Sequence, residues 1–243
     1  MDAMPRTPRE GRATPRPHVA AAKREATRRY GAGETLFHAH DRTTGLHLID
    51  AGQVKLVVQT AAGHERILAV LGAGDAAGAA SMQGATYGVD AVAITPVAAR
   101  HIPSDAFVRR STLDPEVASA HAAALARDLQ HAWRQLAQAY LPVRARLAAT
   151  LLDLADRFGV GTGTGRRTLH TRLSHDDLAA MIGANRVSVS TAMADLRRDG
   201  AVVGARGRYL VDLRRLAAAA GDDSLEALSC VHRTAPGAGS RSR

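Results

Sequence analysis

The chain has a single cysteine, Cys230. One thiol excludes an internal disulfide framework and an iron–sulfur cluster of the usual cysteine-ligated kind. No apolar run approaches the ~20 residues needed to span a bilayer. The N-terminal arginines have no apolar segment of the secretory type behind them, so a cytoplasmic protein without a membrane partner is expected. Lysine is nearly missing: Lys23 and Lys55 stand alone and arginine carries the rest of the positive charge. With the many alanines, that bias marks a high-GC genome. A glycine-rich phosphate loop with its Lys is absent, and no Cys/His pairing supplies a credible nucleophile. His175-Asp176-Asp177 resembles an acid/base cluster, yet it falls in a first helical turn, where acidic residues suit the helix dipole. The expectation is a protein that is not an enzyme and carries no cofactor.

What the chain does have is length and positive charge. Its 243 residues suffice for two domains with proper cores, and its net charge of +9 favours a polyanionic partner. Residues 1–28 are rich in Pro, Arg and Ala and read as a disordered tail. That tail is a solvated extension, the product of a misplaced start codon, or a phosphate-contacting arm. Residues 29–110 carry the signals of a β-domain. Leu36-Phe37, Leu46 to Ile49, Val54 to Val58, Ile67 to Leu71, Ala91 to Ile94 and Ala98 to Ile102 are short apolar or alternating runs between glycines, as in a sandwich or jelly roll.

From Asp114 the pattern becomes that of a long helix, with a hinge closing the segment 111–141. Leu129, Leu136 and Val143 recur every seven residues, as do Leu125, Ala132 and Ala139, giving a seam of about three heptads. Its partner is a second copy of the chain or, alternatively, the chain's own β-domain. Pro142 places a hinge at Tyr140-Leu141 and opens a new helix reaching Arg157. Gly159 to Gly165 reads as a loop, and residues 217–243 as a second tail.

Within 142–216 the most specific signal runs from Ser174 to Leu213. Ser174 caps a helix with Asp176 and Asp177 at its positive end. Leu178 and Ile182 form its inner stripe, and Gly183 ends it. Asn185 caps a second helix whose Val189, Met193 and Leu196 point inward. Small Ala179, Gly183 and β-branched Val189 sit where two steeply crossing helices need a close approach, a turn and a packing knob. Ala201 to Val203 and Tyr209 to Val211 make a hairpin around Gly204-Ala205-Arg206-Gly207. This is a winged helix-turn-helix. Arg186, Val187, Ser190 and Thr191 are predicted to face bases, and Ser188, Arg198, Arg206 and Arg208 to contact phosphates.

A β-roll, a long dimerisation helix, a hinge and a winged helix-turn-helix, in that order, resemble the Crp-Fnr family of bacterial transcription regulators. Gly33-Glu34-Thr-Leu-Phe37, Asp41, Leu48-Ile49, Gly52-Gln-Val-Lys-Leu56, Glu65-Arg-Ile-Leu68 and Gly74-Asp75 through Gly78 resemble it locally. The likeness covers Tyr30 to Leu216. It implies an α+β protein with an N-terminal jelly-roll-like sensor. It also implies a homodimer on a palindromic double-stranded DNA site, with RNA polymerase as a further partner.

The resemblance implies an effector pocket at Gly78, Ala79, Ala80, Val89, Asp90 and, on the long helix, His131. In nucleotide-binding members a Glu follows the glycine and an Arg-Ser pair holds the cyclic phosphate; here Ala79 and Val89-Asp90 stand in those places. A bidentate cation is lost and a carboxylate takes its neighbourhood, so cyclic AMP binding in the usual manner is not expected. The oxygen-sensing branch resembles a protein with N-terminal cysteines, which this chain lacks. A haem- or nucleotide-responsive regulator with a non-standard pocket, and a constitutive dimer with an empty one, stay open. The rival from another class is a metal-dependent cupin-like β-roll, for which His38-x-His40 at a strand end would supply two ligands without a following Glu. His121 and His131 read as solvated or core histidines.

Overall fold

Alternating and continuous apolar runs in the first half of the chain pair into two antiparallel sheets. The computed structural model describes residues 26–60, 63–82, 84–162, 165–205 and 207–221. The chain falls into two units, Met1–Leu129 and Gln130–Arg243. In the first, β1 (Thr27–Tyr30), β8 (Val97–Pro103), β3 (Gly45–Ala51) and β6 (Ala76–Ala77) lie side by side. The second sheet orders β2 (Thr35–Phe37), β7 (Asp90–Ala93), β4 (Val54–Gln59) and β5 (Glu65–Leu71).

In β3, Gly45 to Ile49 are all buried, as expected of a strand covered on both faces. Ile49 joins Phe37, Tyr87, Val97 and Ala99 in one core, while Leu46 and Leu48 turn to Ile102, Phe107 and Val117 in another. Phe107 and Val117 come from α1 (Ser104–Leu113) and α2 (Pro115–Gln138). The two helices part at Asp114, whose backbone is extended (φ −128°, ψ 102°) because the ring of Pro115 disfavours a helical residue before it.

Each of the six predicted runs lies in or overlaps a strand, but β1 and β6 were not foreseen. β1 begins at Thr27, so the expected tail boundary at Arg28 falls inside an edge strand. Arg28 lies opposite Ala99 of β8, with its guanidinium 5.7 Å from the Tyr30 ring. Composition marks these residues as tail, whereas backbone pairing makes them strand. The rest of the predicted N-terminal tail, and most of the C-terminal one with Cys230, lie outside the described residues.

α2 stops at Gln138, and Tyr140-Leu141 lie in the turn before Pro142, which opens α3 (Val143–Phe158). The seam expected over three heptads is therefore shorter. Ala139 and Val143 lie outside α2, because the proline cannot continue the helix across them. The exposed apolar row on α2 is instead Leu129, Trp133 and Leu136, with Trp133 57% and Leu136 67% exposed.

In the second unit α3 packs against α4 (His175–Ile182), α5 (Arg186–Arg198), α6 (Leu213–Ala220) and β10 (Arg166–His170). Leu147, Leu151, Leu154, Leu178, Met193 and Leu196 are buried in this unit. β10 sits between β9 (Val160–Gly161) and β12 (Arg208–Asp212), and β11 (Val202–Ala205) closes the sheet. Arg166-Arg-Thr-Leu-His170 buries only Leu169, so pattern alone does not reveal the strand; its pairing with β12 makes it one. α6 extends to Ala220 with Asp212 as its cap, past the expected tail boundary at Leu216.

Candidate nucleic-acid interface

Two caps and one glycine position the second helix of the pair. Ser174 accepts from the Asp177 backbone N–H at 3.0 Å, and the Asp177 carboxylate accepts from the Ser174 N–H at 2.9 Å. This reciprocal pairing satisfies two donors that a helix start leaves free. Gly183 then takes φ +63°, a left-handed conformation that resists a side chain. Asn185 accepts from the Ser188 N–H at 2.8 Å and starts α5 within two residues of the turn.

α5 buries Val189, Ala192, Met193 and Leu196, and it exposes Arg186, Val187, Thr191 and Arg198. Val187 is 75% exposed, an apolar side chain standing in water where packing gives no reason for it. The exposed polar groups are held. Arg186 Nη1 donates to Asp176 Oδ2 at 2.9 Å, Arg198 Nη1 donates to Asp195 Oδ1 at 2.8 Å, and the Thr191 hydroxyl donates to the Val187 carbonyl at 3.2 Å. Ser188 and Ser190 are half-buried.

Ser190 differs from the other predicted base-facing residues. Its Oγ lies 2.9 Å from His175 Nδ1, so it ties α5 to the start of α4 rather than standing free. Burial, then Arg197 and Arg186, hold the His175 pKa below its usual value, with Asp176 acting weakly the other way. The sequence pattern placed Ser190 on the outer face by periodicity, but the histidine fifteen positions earlier was not legible as its partner.

Arg208 is exposed at the first position of β12, opposite His170. Arg206 lies outside the described residues. A further cation was missed. Arg172 is exposed in the segment entering α4, and this segment is tied to the wing by the Thr171 N–H donating to the Gly207 carbonyl at 2.8 Å. Nothing in the local sequence marks Arg172, because the wing turn that approaches it is thirty-five residues away. Arg186 and Arg198 are thus exposed on α5, and Arg172 and Arg208 by the wing; exposed guanidinium groups of this kind suit the phosphates and base edges of a duplex.

The residues of the expected effector pocket lie on the β-roll and, for His131, on α2. Gly78 takes φ +86°, and a side chain there would press on the Tyr87 ring. Tyr87 stacks on Phe37 with centroids 3.9 Å apart and donates from its hydroxyl to the Gly45 carbonyl at 2.7 Å. Ala79 is buried and Ala80 exposed. Val89 packs on the core, and Asp90 accepts from the Ala39 N–H at 2.8 Å with His38 Nδ1 3.3 Å away. The cavity beside Ala79, reaching His121 and Arg127, has about 40 Å³, room for little more than water. His131 belongs to the second unit, with Nδ1 3.8 Å from Asp153 Oδ2. There it lines a larger cavity of about 280 Å³ with Arg134, Gln135, Asp153, Asp156 and Arg167, which the sequence did not reveal.

The metal-site expectation needs correction at its geometric premise. β2 ends at Phe37, and His40 has φ +70°, so His38 and His40 do not share one side of a strand. His121 packs edge-on against Phe107 with centroids 4.8 Å apart, as a core histidine does.

Comparison with known proteins agrees with both halves. Residues 27–110 match the cyclic nucleotide-binding domain family, and residues 145–219 match the Crp-like helix-turn-helix domain family. The chain is 31% identical over 170 residues to the CRP-like cAMP-activated global transcriptional regulator of Mycobacterium tuberculosis, covering 69% of this chain and 75% of that one. It is 30% identical over 204 residues to the transcriptional regulator LdrP of Thermus thermophilus, covering 82% of this chain and 99% of the relative. Among solved structures, FixK2 from Bradyrhizobium japonicum superposes with a TM-score of 0.70 at 22% identity, over 80% of this chain and 96% of FixK2. A transcriptional regulator of the CRP family from Thermus thermophilus gives 0.67 at 28% identity, over 80% and 96% of the two chains.

Proposed function

The chain belongs to the Crp-Fnr family of transcription regulators, and we propose that it acts as a cytoplasmic homodimer on a palindromic DNA site without needing a cyclic nucleotide. The observation that carries this reading is the outer face of α5, where Arg186, Val187 and Thr191 stand exposed on a helix held by its caps and core. Arg186 supplies a bidentate donor for guanine, and Val187 offers methyls to thymine in place of a carboxylate for cytosine. Ser190 reaches bases only where its bond to His175 opens. Ser188, Arg198, Arg208 and Arg172 contact phosphates, joined by Arg206 from its place in the wing sequence.

The dimer is assigned to α2. Leu129, Trp133 and Leu136 form an exposed apolar row that a second copy would cover. To read a palindrome, such a dimer would have to present its two α5 helices about 34 Å apart, one turn of duplex. RNA polymerase is the further partner expected of such a regulator, and no enzymatic step is assigned. No helix among the described residues is long and apolar enough to cross a membrane.

The sensor pocket is read as degenerate. Val89 packs against the core, Asp90 bonds to Ala39, and the cavity at Ala79 has about 40 Å³, far below the ~300 Å³ or more of ordinary ligand sites.

The test compares Arg186→Ala with the parent protein on its preferred duplex and on random duplex by fluorescence anisotropy. We expect a loss of ~1–3 kcal/mol on the preferred duplex only. Equal losses on both would remove Arg186 from base contact. In parallel, Leu136→Glu is expected to give a monomer in sedimentation; an unchanged dimer would move the interface elsewhere.

A further inference from the structure

We propose that Asp176 is a specificity-determining residue: its carboxylate, at the start of α4, aims the Arg186 guanidinium and so sets the guanine preference of α5. The inference rests on the reading of Arg186 as a base contact and deepens it.

The observation is a division of labour inside one helical turn. Asp176 and Asp177 both suit the positive end of α4, and sequence alone gives them the same job. The structure separates them. Asp177 closes the capping box with Ser174, whereas Asp176 turns away from the cap and reaches across to Arg186 Nη1 at 2.9 Å. The pair joins the second residue of α4 to the first of α5, so it fixes a side chain at the exposed entry of the outer helix.

Stability does not account for this pair. The two side chains are 62% and 69% exposed, and an ion pair so hydrated contributes little to folding. A duplex laid on α5 changes that, because the pair would lose water and its attraction would strengthen as the surrounding dielectric falls. A guanidinium has five donors in a fixed plane. With Nη1 engaged by Asp176, the remaining donors are held in one direction before the guanine arrives.

The carboxylate also has a cost that favours the same conclusion. A negative group beside the entry of α5 repels phosphates, and so weakens binding to every sequence alike. A residue that lowers general affinity while orienting one base contact raises discrimination from both sides. His175, the preceding residue, restrains Ser190 from the same turn, so two successive side chains of α4 constrain the outer face of α5.

The experiment uses the full-length protein and its Asp176→Asn, Asp176→Ala, Arg186→Ala and Asp176→Ala/Arg186→Ala variants. Each selects bound sequences from a random duplex pool, and melting temperatures are taken alongside. Asp176→Asn keeps size while removing the charge that holds the guanidinium, and guards against a variant that fails to fold. We expect both Asp176 variants to melt within a few degrees of the parent, to bind random duplex more tightly, and to lose about tenfold of the guanine preference at one position of each half-site. The double variant should show the guanine preference of Arg186→Ala alone, because the two changes remove one interaction.

Asp176 variants that keep the guanine preference, while Arg186→Ala loses it, would overturn the proposal and leave the base-contact reading intact. Additive losses in the double variant would also overturn it. Arg186→Ala with an unchanged preference would overturn the base-contact reading itself, and this proposal with it.

Discussion

In α5 the side chains suited to reading DNA are on the outside and its polar ones are held in place, while in the β-roll the residues proposed to line a sensor pocket are engaged by their own neighbours. Arg186, Val187 and Thr191 are exposed. Val89 instead packs on the core and Asp90 bonds to Ala39, at the start of β7, which pairs in register with β4. A fold is maintained by its core, and a binding function by a few residues placed on it. Phe37, Ile49, Val54 and Tyr87 preserve the roll whether or not anything binds there.

The largest effect that would sharpen this contrast comes from the core of the DNA-binding half. Leu196 is fully buried on α5, and Leu196→Ala is expected to cost about 2–5 kcal/mol. Urea unfolding should record the loss, and affinity should fall on every duplex alike. A variant that loses only sequence preference would show that Leu196 shapes the reading face rather than supporting it.

The next effect lies in the roll and depends on pH. His47 is 4% exposed, beside Phe37 and His101, with Nδ1 unbonded. Its pKa is lowered from 6.5 to about 4, first by burial and then by His101 and Arg28. Between those values the unfolded chain binds more protons than the folded one, so stability is full above about pH 6.5 and declines as pH falls toward about 4. The loss amounts to about 3 kcal/mol over the full interval. His47→Leu should flatten the difference between urea midpoints taken near pH 7 and near pH 4.5. An unchanged slope would assign the acid sensitivity to other groups.

A smaller effect is expected at the wing. Arg208→Ala should weaken preferred and random duplexes equally and reduce the salt dependence by about one phosphate contact. Selective loss on the preferred duplex would move Arg208 among the base readers. The smallest effect expected is none. A cyclic nucleotide at a hundredfold excess over its dissociation constant would stabilise a binding protein by about 2.7 kcal/mol. Cyclic AMP at millimolar concentration is expected to leave the melting temperature unchanged, and a rise would break the contrast between the two halves.

Much of the architecture was legible in the chain because its signals are local. Ser174, Gly183 and Asn185 mark three helix boundaries within twelve residues, and Pro142 marks the break before α3. What escaped has partners far away in sequence. β1 is strand because Arg28 meets Ala99, and β10 because Leu169 meets Tyr209. The site divides along the same line. The exposure of Arg186 and Val187 follows from helical periodicity, but the bonds from His175 to Ser190 and from Asp176 to Arg186 require knowing how α4 crosses α5. His131 shows the same limit: the family resemblance implies an effector contact there, whereas its partner Asp153 comes from α3, past Pro142.

Selection from a random duplex pool by the purified full-length protein, without added ligand and again with cyclic AMP or cyclic GMP, decides whether this regulator reads a palindrome unaided. We expect one palindrome to be enriched equally in all three, with half-sites about one helical turn apart. Enrichment only in the presence of a nucleotide, or of sequences without two-fold symmetry, would contradict it.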